Sequence, residues 1–177
     1  MCGIVGVFGT PYSVQEAYQG LLLLQHRGQD AAGILSFDFN TKNFHQYKDL
    51  GLISDVFVPS ILAGFEGTMS IAHTRYATVG PKNPIDSKRD IQPMTINYPH
   101  GIGMVHNGNI VNYFELKKYV QEEKRRHLFT NNDLEVMLNI LSDGLREKNV
   151  PNHFDQFQAA VKTCLLYTSP SPRDAQL

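Results

Sequence analysis

The chain opens with Met1-Cys2-Gly3-Ile4-Val5-Gly6-Val7-Phe8-Gly9. This short apolar run predicts a β-strand over residues 2–9. Removal of Met1 would leave Cys2 with a free α-amine beside its thiol. An α-amine titrates at about 7.7–8.0 and a free thiol near about 8.5, so the amine can accept the thiol proton at neutral pH. Cys2 is therefore a candidate nucleophile, although a small buried side chain at the start of a strand would produce the same pattern.

Composition excludes several classes of protein. The 177 residues suit one domain or a piece of a larger one, and 16 Lys+Arg balance 17 Asp+Glu, which argues against a surface for nucleic acid or an anionic membrane. Two cysteines, Cys2 and Cys164, are too few for a disulfide framework or a cysteine-ligated metal site. No apolar run approaches the roughly 20 residues of a membrane span, and the short apolar start, broken by Gly3 and Gly6 and without a basic region, does not predict a signal peptide. We expect a cytoplasmic protein.

Hydrophobic periodicity predicts alternating strands and helices. Further strands are predicted over residues 33–39, 43–48, 68–73 and 101–106. Helices are predicted from Ser13, in a capping box with Glu16, to about residue 26, from residue 112 to about 126, after residues 130–132, and from 152 to about 162. Apolar residues recur at helical spacing in the first three of these helices. They are Val14, Ala17, Tyr18, Leu21 and Leu22 in the first, the inward-facing Tyr113, Leu116 and Val120 in the second, and the stripe of Leu134, Met137, Leu138, Leu141 and Leu145 in the third. An α+β or layered sandwich fold follows.

Polar groups gather at the ends of these predicted elements. Arg75 ends a strand, and its guanidinium is a natural fork for a substrate carboxylate. Asn107 and Gly108 follow another strand and offer an amide side chain and a backbone N–H, the donor pair of an oxyanion hole. Asp133 begins a helix, where its carboxylate can receive a ligand ammonium. With Cys2 as nucleophile, these groups are what hydrolysis of the side-chain amide of a free amino acid requires.

Each of these groups also has a simpler explanation. Arg75 would also fit a surface ion pair, worth about 0–1 kcal/mol. Asn107-Gly108 is a common hairpin turn dipeptide. A carboxylate such as Asp133 is favourable at the N-terminus of any helix. Only their combination points to catalysis.

Five motifs occur in an order and at separations typical of one family. They are residues 2–6 (Cys-Gly-Ile-Val-Gly), 24–33 (Leu-Gln-His-Arg-Gly-Gln-Asp-Ala-Ala-Gly), 73–80 (His-Thr-Arg-Tyr-Ala-Thr-Val-Gly), 106–109 (His-Asn-Gly-Asn) and 123–127 (Glu-Lys-Arg-Arg-His). The sequence resembles the class II glutamine amidotransferases, and within them the amidophosphoribosyltransferase family. The resemblance covers roughly residues 1–162 and implies a four-layer αββα sandwich of the N-terminal nucleophile hydrolase type, incomplete at its C-terminus.

The resemblance implies roles for the matching residues. Cys2 would be the nucleophile after removal of Met1, and Asn107 with the Gly108 N–H would form the oxyanion hole. Arg75 would bind the α-carboxylate of glutamine.

Three further roles are carried over from the family. Asp133 would bind the α-ammonium of glutamine, and Arg27 would help to hold the loop around Cys2. Residues 74–91 would supply a loop that closes over glutamine and excludes water from the released ammonia.

The family's activity supplies ammonia from glutamine to phosphoribosylpyrophosphate, which forms 5-phosphoribosylamine in the first step of de novo purine biosynthesis. No phosphoribosyltransferase domain follows in this sequence, so the ammonia acceptor domain is missing. We expect no cofactor and no metal site in this chain, magnesium in the missing domain, and a homo-oligomer for the full-length protein.

Two alternatives remain open on sequence alone. The glutaminase domain of glucosamine-6-phosphate synthase performs the same half-reaction, but it usually has Tyr-Arg-Gly-Tyr-Asp-Ser-Ala-Gly where this chain has residues 26–33, and Trp where this chain has Tyr76. Asparagine synthetase is less similar. A catalytically inactive binding module would keep the same fold, although the presence of Cys2 argues against it.

The last residues form a separate prediction. Residues 163–177 include Ser169-Pro170-Ser171-Pro172, and two prolines in so short a segment do not suit a strand that completes a sheet. We therefore expect a truncated glutaminase domain over residues 1–162, followed by a non-native tail over residues 163–177. A natural short isoform with a flexible tail is the alternative.

Overall fold

A computed structural model describes residues 2–76, 88–147 and 158. The chain divides into two compact units, the first comprising Met1–Met94 with Gly103–Asn107 and the second Thr95–Ile102 with Gly108–Leu177. Most of the predicted closing loop, the predicted helix over 152–162 apart from Gln158, and the predicted tail over 163–177 lie outside the described residues.

A four-stranded antiparallel sheet forms the first unit, with its strands in the order β1-β4-β2-β3. The strands are β1 (Gly3–Phe8), β2 (Ala31–Asp38), β3 (Asn43–Leu50) and β4 (Met69–Arg75). The first four of the five predicted strands are confirmed here; β2 begins two residues earlier than predicted, and β3 and β4 end two residues later. The first strand thus pairs with the fourth, which brings the start of the chain beside Thr74, the register partner of Gly3.

Helix α1 (Ser13–Leu23) packs its apolar residues against this sheet, and two one-turn helices, α2 (Ile53–Val56) and α3 (Pro59–Leu62), follow β3. The core of the unit consists of buried residues from these elements: Val14, Ala17, Leu21, Ala32, Ile34, Ile53, Val56, Phe57 and Ala72. Full burial of one large apolar side chain contributes about 1.5–3 kcal/mol. The helical spacing predicted for α1 is confirmed, because Val14, Ala17 and Leu21 are buried in this core and Tyr18 and Leu22 pack against it.

The predicted capping box at the start of α1 is wrong. Tyr12 is the N-cap residue, and no side chain caps the helix. Ser13 is fully buried, and its hydroxyl lies 2.8 Å from the Ser70 hydroxyl on β4. Glu16 accepts a hydrogen bond from the Thr10 hydroxyl (3.2 Å). Burial against the sheet thus directs the serine towards β4, away from the helix N–H groups.

Two predicted helices change type before their expected ends. Helix α1 ends at Leu23, and the chain continues into a 3₁₀ turn over Gln25–Arg27. In the second unit, α4 (Tyr113–Lys118) continues into a π-helical turn over Tyr119–Glu123 instead of an α-helix to residue 126. The predicted inward residues Leu116 and Val120 are buried there. The apolar pattern was therefore predicted correctly, but the hydrogen-bonding pattern was not.

Helix α5 (Asp133–Glu147) begins where it was predicted, with the Asn132 side chain accepting the Leu134 N–H (3.0 Å). In its predicted apolar stripe the four leucines are buried and Met137 is partly buried, and Val136 and Ile140 are buried on a second face. These two residues pack with residues of α4 and the π-helical turn in one apolar cluster.

Two short strands complete the described elements. They are β5 (Met94–Ile96) and β6 (Ile102–Met104), which form a two-stranded sheet. Strand β6 lies within the predicted strand over 101–106, whereas β5 was not predicted. The combination of antiparallel sheet and helices confirms the α+β class.

The basic motif over residues 123–127 holds α5 in the second unit. The Arg126 guanidinium donates to the side chains of Asn139 (3.1 Å) and Ser142 (3.4 Å) and forms an ion pair with Asp143. All three partners lie on α5, and all are buried. A buried ion pair with several hydrogen bonds is costly to break from one side, so Arg126 is a structural residue.

No helix within the described ranges is long and apolar enough to cross a membrane.

Gly33 permits a close approach that alanine would prevent. A Cβ there would lie 2.1 Å from the Gln92 carbonyl oxygen and 2.9 Å from the Lys48 Cβ. We expect Gly33→Ala to lower the free energy of unfolding by about 1–3 kcal/mol, because backbone must move to accommodate the methyl group. Urea unfolding measures this loss. Gly6→Ala on β1 is the matched control, since a Cβ there would meet nothing within 4 Å. Equal midpoints for the two variants would contradict the packing argument.

Candidate active site

Cys2 lies immediately before β1 and is only partly buried. Its Sγ accepts a hydrogen bond from the backbone N–H of Tyr76 (3.4 Å), the residue that follows β4. The thiol therefore lies at the end of the β1–β4 ladder and remains accessible. This placement differs from the fully buried cysteine that was the simpler explanation of the sequence.

The turn over Gln25–Arg27 brings a guanidinium to the same place. Arg27 Nε donates to the Cys2 carbonyl oxygen (3.2 Å). Gly28 allows this turn to approach β4, because a Cβ there would lie 2.7 Å from the backbone of Arg75. The Thr74 hydroxyl then donates to the Gly28 carbonyl (2.7 Å). The turn that carries Arg27 thus contacts the Cys2 backbone, while the role of Arg27 in holding the loop around Cys2 stays a prediction.

Asn107 reaches Cys2 from a third segment. Its Nδ2 donates to the Cys2 carbonyl oxygen (3.1 Å), and its Oδ1 lies 3.1 Å from His73 Nε2. Both ends of the amide therefore have partners that determine its orientation.

The backbone around Asn107 does not form the hairpin turn that the dipeptide Asn107-Gly108 suggested as an alternative. Strand β6 precedes it, and helix α4 follows as the next described element. Gly108 has a φ of 156°. The His106 N–H immediately before Asn107 donates to the Gln92 side chain (2.6 Å), which anchors this segment in the first unit.

His73 begins the motif over residues 73–80 but was not predicted as a residue of the candidate site. It lies on β4 and is 1% exposed. The pKa of its imidazole is lowered to about 4, mainly by burial; the hydrogen bond with Asn107 raises it, and the charge of Arg75 contributes to the lowering. The ring is therefore neutral at physiological pH. The signal that could have revealed it is a histidine in a buried strand, two residues before the arginine that ends the strand.

Arg75 forms an ion pair with Asp90, with 3.9 Å between Nη2 and Oδ2. The side chains are 15% and 10% exposed, so this is not the surface ion pair that was the simpler explanation. Binding of a substrate carboxylate by Arg75 stays a prediction.

Asp133 belongs to the second unit and is the first residue of α5. Its Oδ2 accepts a hydrogen bond from the backbone N–H of Ile110 (3.0 Å). The carboxylate therefore connects the start of α5 to the segment after Gly108, in addition to any favourable effect on the helix N-terminus. Recognition of a ligand ammonium by Asp133 stays a prediction.

Across residues 2–76, 88–147 and 158, no group of three or more His, Cys, Asp and Glu side chains could hold a metal ion.

The lowered pKa of His73 predicts how stability depends on pH. The unfolded chain binds a proton on this ring near pH 6.5, but the folded chain does so only near pH 4, so stability falls as the pH decreases through this window. The loss is about 3 kcal/mol at most. Urea unfolding at several pH values from 7.5 to roughly 4 measures it. We expect His73→Gln to remove this part of the pH dependence and His45→Gln to retain it. The same slope in both variants would contradict the assignment.

Comparisons with known proteins agree with this arrangement. A family profile described as "Glutamine amidotransferase domain" matches residues 73–161, which is half of the chain. An amidophosphoribosyltransferase of Escherichia coli is 44% identical over 162 residues, which cover 91% of this chain and 31% of that protein. An amidophosphoribosyltransferase of Saccharomyces cerevisiae is 40% identical over 165 residues, which cover 90% of this chain and 31% of that protein. The chain thus spans about a third of the length of these relatives.

Two solved structures share the fold. The glutamine phosphoribosylpyrophosphate amidotransferase of Bacillus subtilis, complexed with ADP and GMP, matches 92% of this chain and 32% of its own with a TM-score of 0.72 and 29% identity. A structure described as the allosteric regulatory enzyme of purine biosynthesis matches 92% of this chain and 33% of its own with a TM-score of 0.74 and 30% identity. The predicted N-terminal nucleophile hydrolase fold is confirmed. The family profile matches half of this chain, and the relatives match about nine-tenths of it. The chain therefore belongs to the glutamine amidotransferase domain family.

Proposed function

We propose that this chain hydrolyses the side-chain amide of glutamine and releases ammonia, with Cys2 as the nucleophile. The observation that carries the proposal is the position of the Asn107 amide, whose Nδ2 lies 3.1 Å from the Cys2 carbonyl oxygen. Cys2 and Asn107, the proposed nucleophile and oxyanion donor, thus contact each other within one unit. The family profile supports the choice of glutamine as the substrate.

The reaction begins after removal of Met1, which frees the α-amine of Cys2. The amine takes the thiol proton, and the thiolate attacks the amide carbon of glutamine. The carbonyl π electrons move onto oxygen, which becomes an oxyanion. Collapse of this intermediate restores the C=O bond and breaks the C–N bond, and the protonated amine returns its proton to the leaving ammonia. Water then hydrolyses the thioester to glutamate and regenerates the thiol.

Asn107 and the Gly108 N–H stabilise the oxyanion in this proposal. An amide NH₂ carries two donors, so one proton can hold the Cys2 carbonyl while the other faces the developing charge. A donor that is already fixed in position does not need to reorganise when the charge appears.

Arg75 and Asp133 bind the α-carboxylate and the α-ammonium of glutamine in this proposal. The ion pair with Asp90 supports it for Arg75, because a guanidinium already held by one carboxylate loses less side-chain entropy when it binds a second. The assignment for Asp133 rests on the resemblance alone.

The ammonia acceptor belongs to the longer protein. We infer that the ammonia is transferred to phosphoribosylpyrophosphate by a phosphoribosyltransferase domain outside this chain, giving 5-phosphoribosylamine in purine biosynthesis. The names of the relatives and of the two solved structures support this choice over glucosamine-6-phosphate synthase. Magnesium in that domain, no cofactor in this chain, a cytoplasmic location and homo-oligomerisation are parts of the same proposal.

Substitution of the nucleophile tests the proposed activity. We expect Cys2→Ala to abolish release of ammonia from glutamine and covalent labelling by a glutamine-like diazo ketone, because the proposed mechanism takes its thiolate from Cys2. Coupled detection of glutamate and mass spectrometry of the labelled chain measure these effects. Cys164→Ala is the matched control and retains both.

A second variant separates the thiol from the amine. Insertion of alanine between Met1 and Cys2 keeps the thiol but removes its free α-amine, and we expect it to be inactive as well. Full glutaminase activity in this variant, or in Cys2→Ala, would exclude the mechanism. An inactive wild-type chain that melts cooperatively would favour the binding module instead.

Substitution of Arg75 tests recognition of the α-carboxylate. We expect Arg75→Lys to lower kcat/KM for glutamine roughly 10- to 150-fold, since losing a hydrogen bond to a charged group costs about 1.5–3 kcal/mol. Arg89→Lys is the matched control, because Arg89 is a nearby exposed arginine. Steady-state kinetics and thermal melting of both variants provide the measurement. An unchanged kcat/KM in folded Arg75→Lys would remove Arg75 from the substrate site.

A further inference from the structure

His73 contacts the proposed oxyanion donor without being part of the proposed chemistry. It lies in the middle of the sheet, with Ile4 of β1 and Gly33 of β2 as its register partners. Its Nε2 lies 3.1 Å from Asn107 Oδ1. The position of the ring is therefore set by two strand pairings, and the ring contacts the end of the amide that faces away from Cys2.

The atoms involved determine which ring nitrogen carries the proton. A carbonyl oxygen such as Asn107 Oδ1 can only accept, so Nε2 must be the donor. The low pKa of the buried ring, next to Arg75 and His106, leaves it neutral and Nδ1 without a proton. Among the residues that the structure describes, Nδ1 is buried without a hydrogen-bond partner. An unsatisfied buried acceptor costs about 1–3 kcal/mol, so the ring is kept at this position despite a loss of stability.

We propose that His73 is a positioning residue, whose Nε2–H holds Asn107 Oδ1 so that Nδ2 faces Cys2 and the developing oxyanion. This inference rests on the proposed glutamine hydrolysis. Without His73, the amide can rotate by half a turn and present its oxygen where the oxyanion forms. Two negatively polarised oxygens would then face each other in the tetrahedral intermediate. The effect appears in kcat and not in glutamine binding, because the charge develops only after attack.

Two substitutions at position 73 distinguish donation from packing. His73→Leu removes the donor, and His73→Gln retains an amide N–H at a position close to that of Nε2. We expect His73→Leu to lower kcat about 10- to 100-fold, by analogy with residues that orient metal ligands, with KM nearly unchanged. His73→Gln recovers most of the loss. His45→Gln, at another histidine of the same sheet, is the matched control and keeps wild-type kinetics.

A double-mutant cycle tests whether the effect passes through Asn107. Asn107→Ala lowers kcat on its own, and we expect His73→Leu to add nothing in that background. Two results would overturn the proposal. One is an equal loss of kcat from His73→Leu in the wild-type and Asn107→Ala backgrounds, and the other is a rise in KM with no change in kcat.

A measurement of the wild-type chain without substrate separates this inference from the proposed function. Nitrogen NMR of the imidazoles reports the tautomer directly, and we expect a neutral ring with the proton on Nε2 from pH 7 down to about 5. A proton on Nδ1, or titration near the ordinary histidine value, would overturn the positioning role even if glutamine is hydrolysed. The expected tautomer in a folded chain that does not hydrolyse glutamine would instead contradict the proposed function and leave the contact with Asn107 established.

Discussion

The antiparallel pairing of β1 with β4 is the constraint on which the candidate site depends. Gly3 lies opposite Thr74, so Cys2 falls beside the end of β4 and its Sγ meets the Tyr76 N–H. Side chains alternate between the faces of a strand, and a slip of one residue would turn every side chain of β1 to the other face. The same register places His73 opposite Ile4, one pair further along the ladder. One strand pairing therefore determines the positions of both the thiol and the histidine.

Small residues let neighbouring segments approach the sheet closely. Gly28 admits the turn that carries Arg27 beside β4, and Gly33 on β2 admits the Gln92 backbone. A side chain at position 28 would push the turn that contacts Cys2 away from β4, and one at position 33 would push the segment that contacts the His106 backbone away from β2. The glycines thus act on the site through packing, although neither contacts the thiol.

Much of the sheet and of α1 could be predicted from the sequence, because their apolar residues follow simple periods over six or more positions. Strand β5 was not predicted, and only three of the six residues predicted as a strand over 101–106 form β6, since segments this short do not establish a period. The π-helical turn after α4 was missed because an apolar pattern reports which residues are inside and not which carbonyl each N–H reaches. The capping box failed for a related reason, since Ser13 found a better partner on β4 than its own helix.

The candidate site, too, could be predicted only in part from the sequence. The motifs predicted roles for Cys2, Arg75 and Asn107, since each belongs to a residue type with a distinct chemistry. Partners that act by orienting these groups have no such signature in a single sequence. His73 and Gln92 became visible only when tertiary structure placed them beside Asn107 and the His106 backbone.

Strand β3 lies at the sheet edge away from β1, but it still contributes to the position of Asn107. Lys48 Nζ donates to the carbonyl oxygens of Ile91 (2.6 Å) and Pro93 (3.0 Å), which flank Gln92. Gln92 in turn accepts the His106 N–H, directly before Asn107. The amide is therefore oriented from β4 through His73, and its backbone is positioned from β3 through Gln92. Because β3 does not pair with β1 or β4, loosening β3 would displace the proposed oxyanion donor while the pairing that positions Cys2 stays in place.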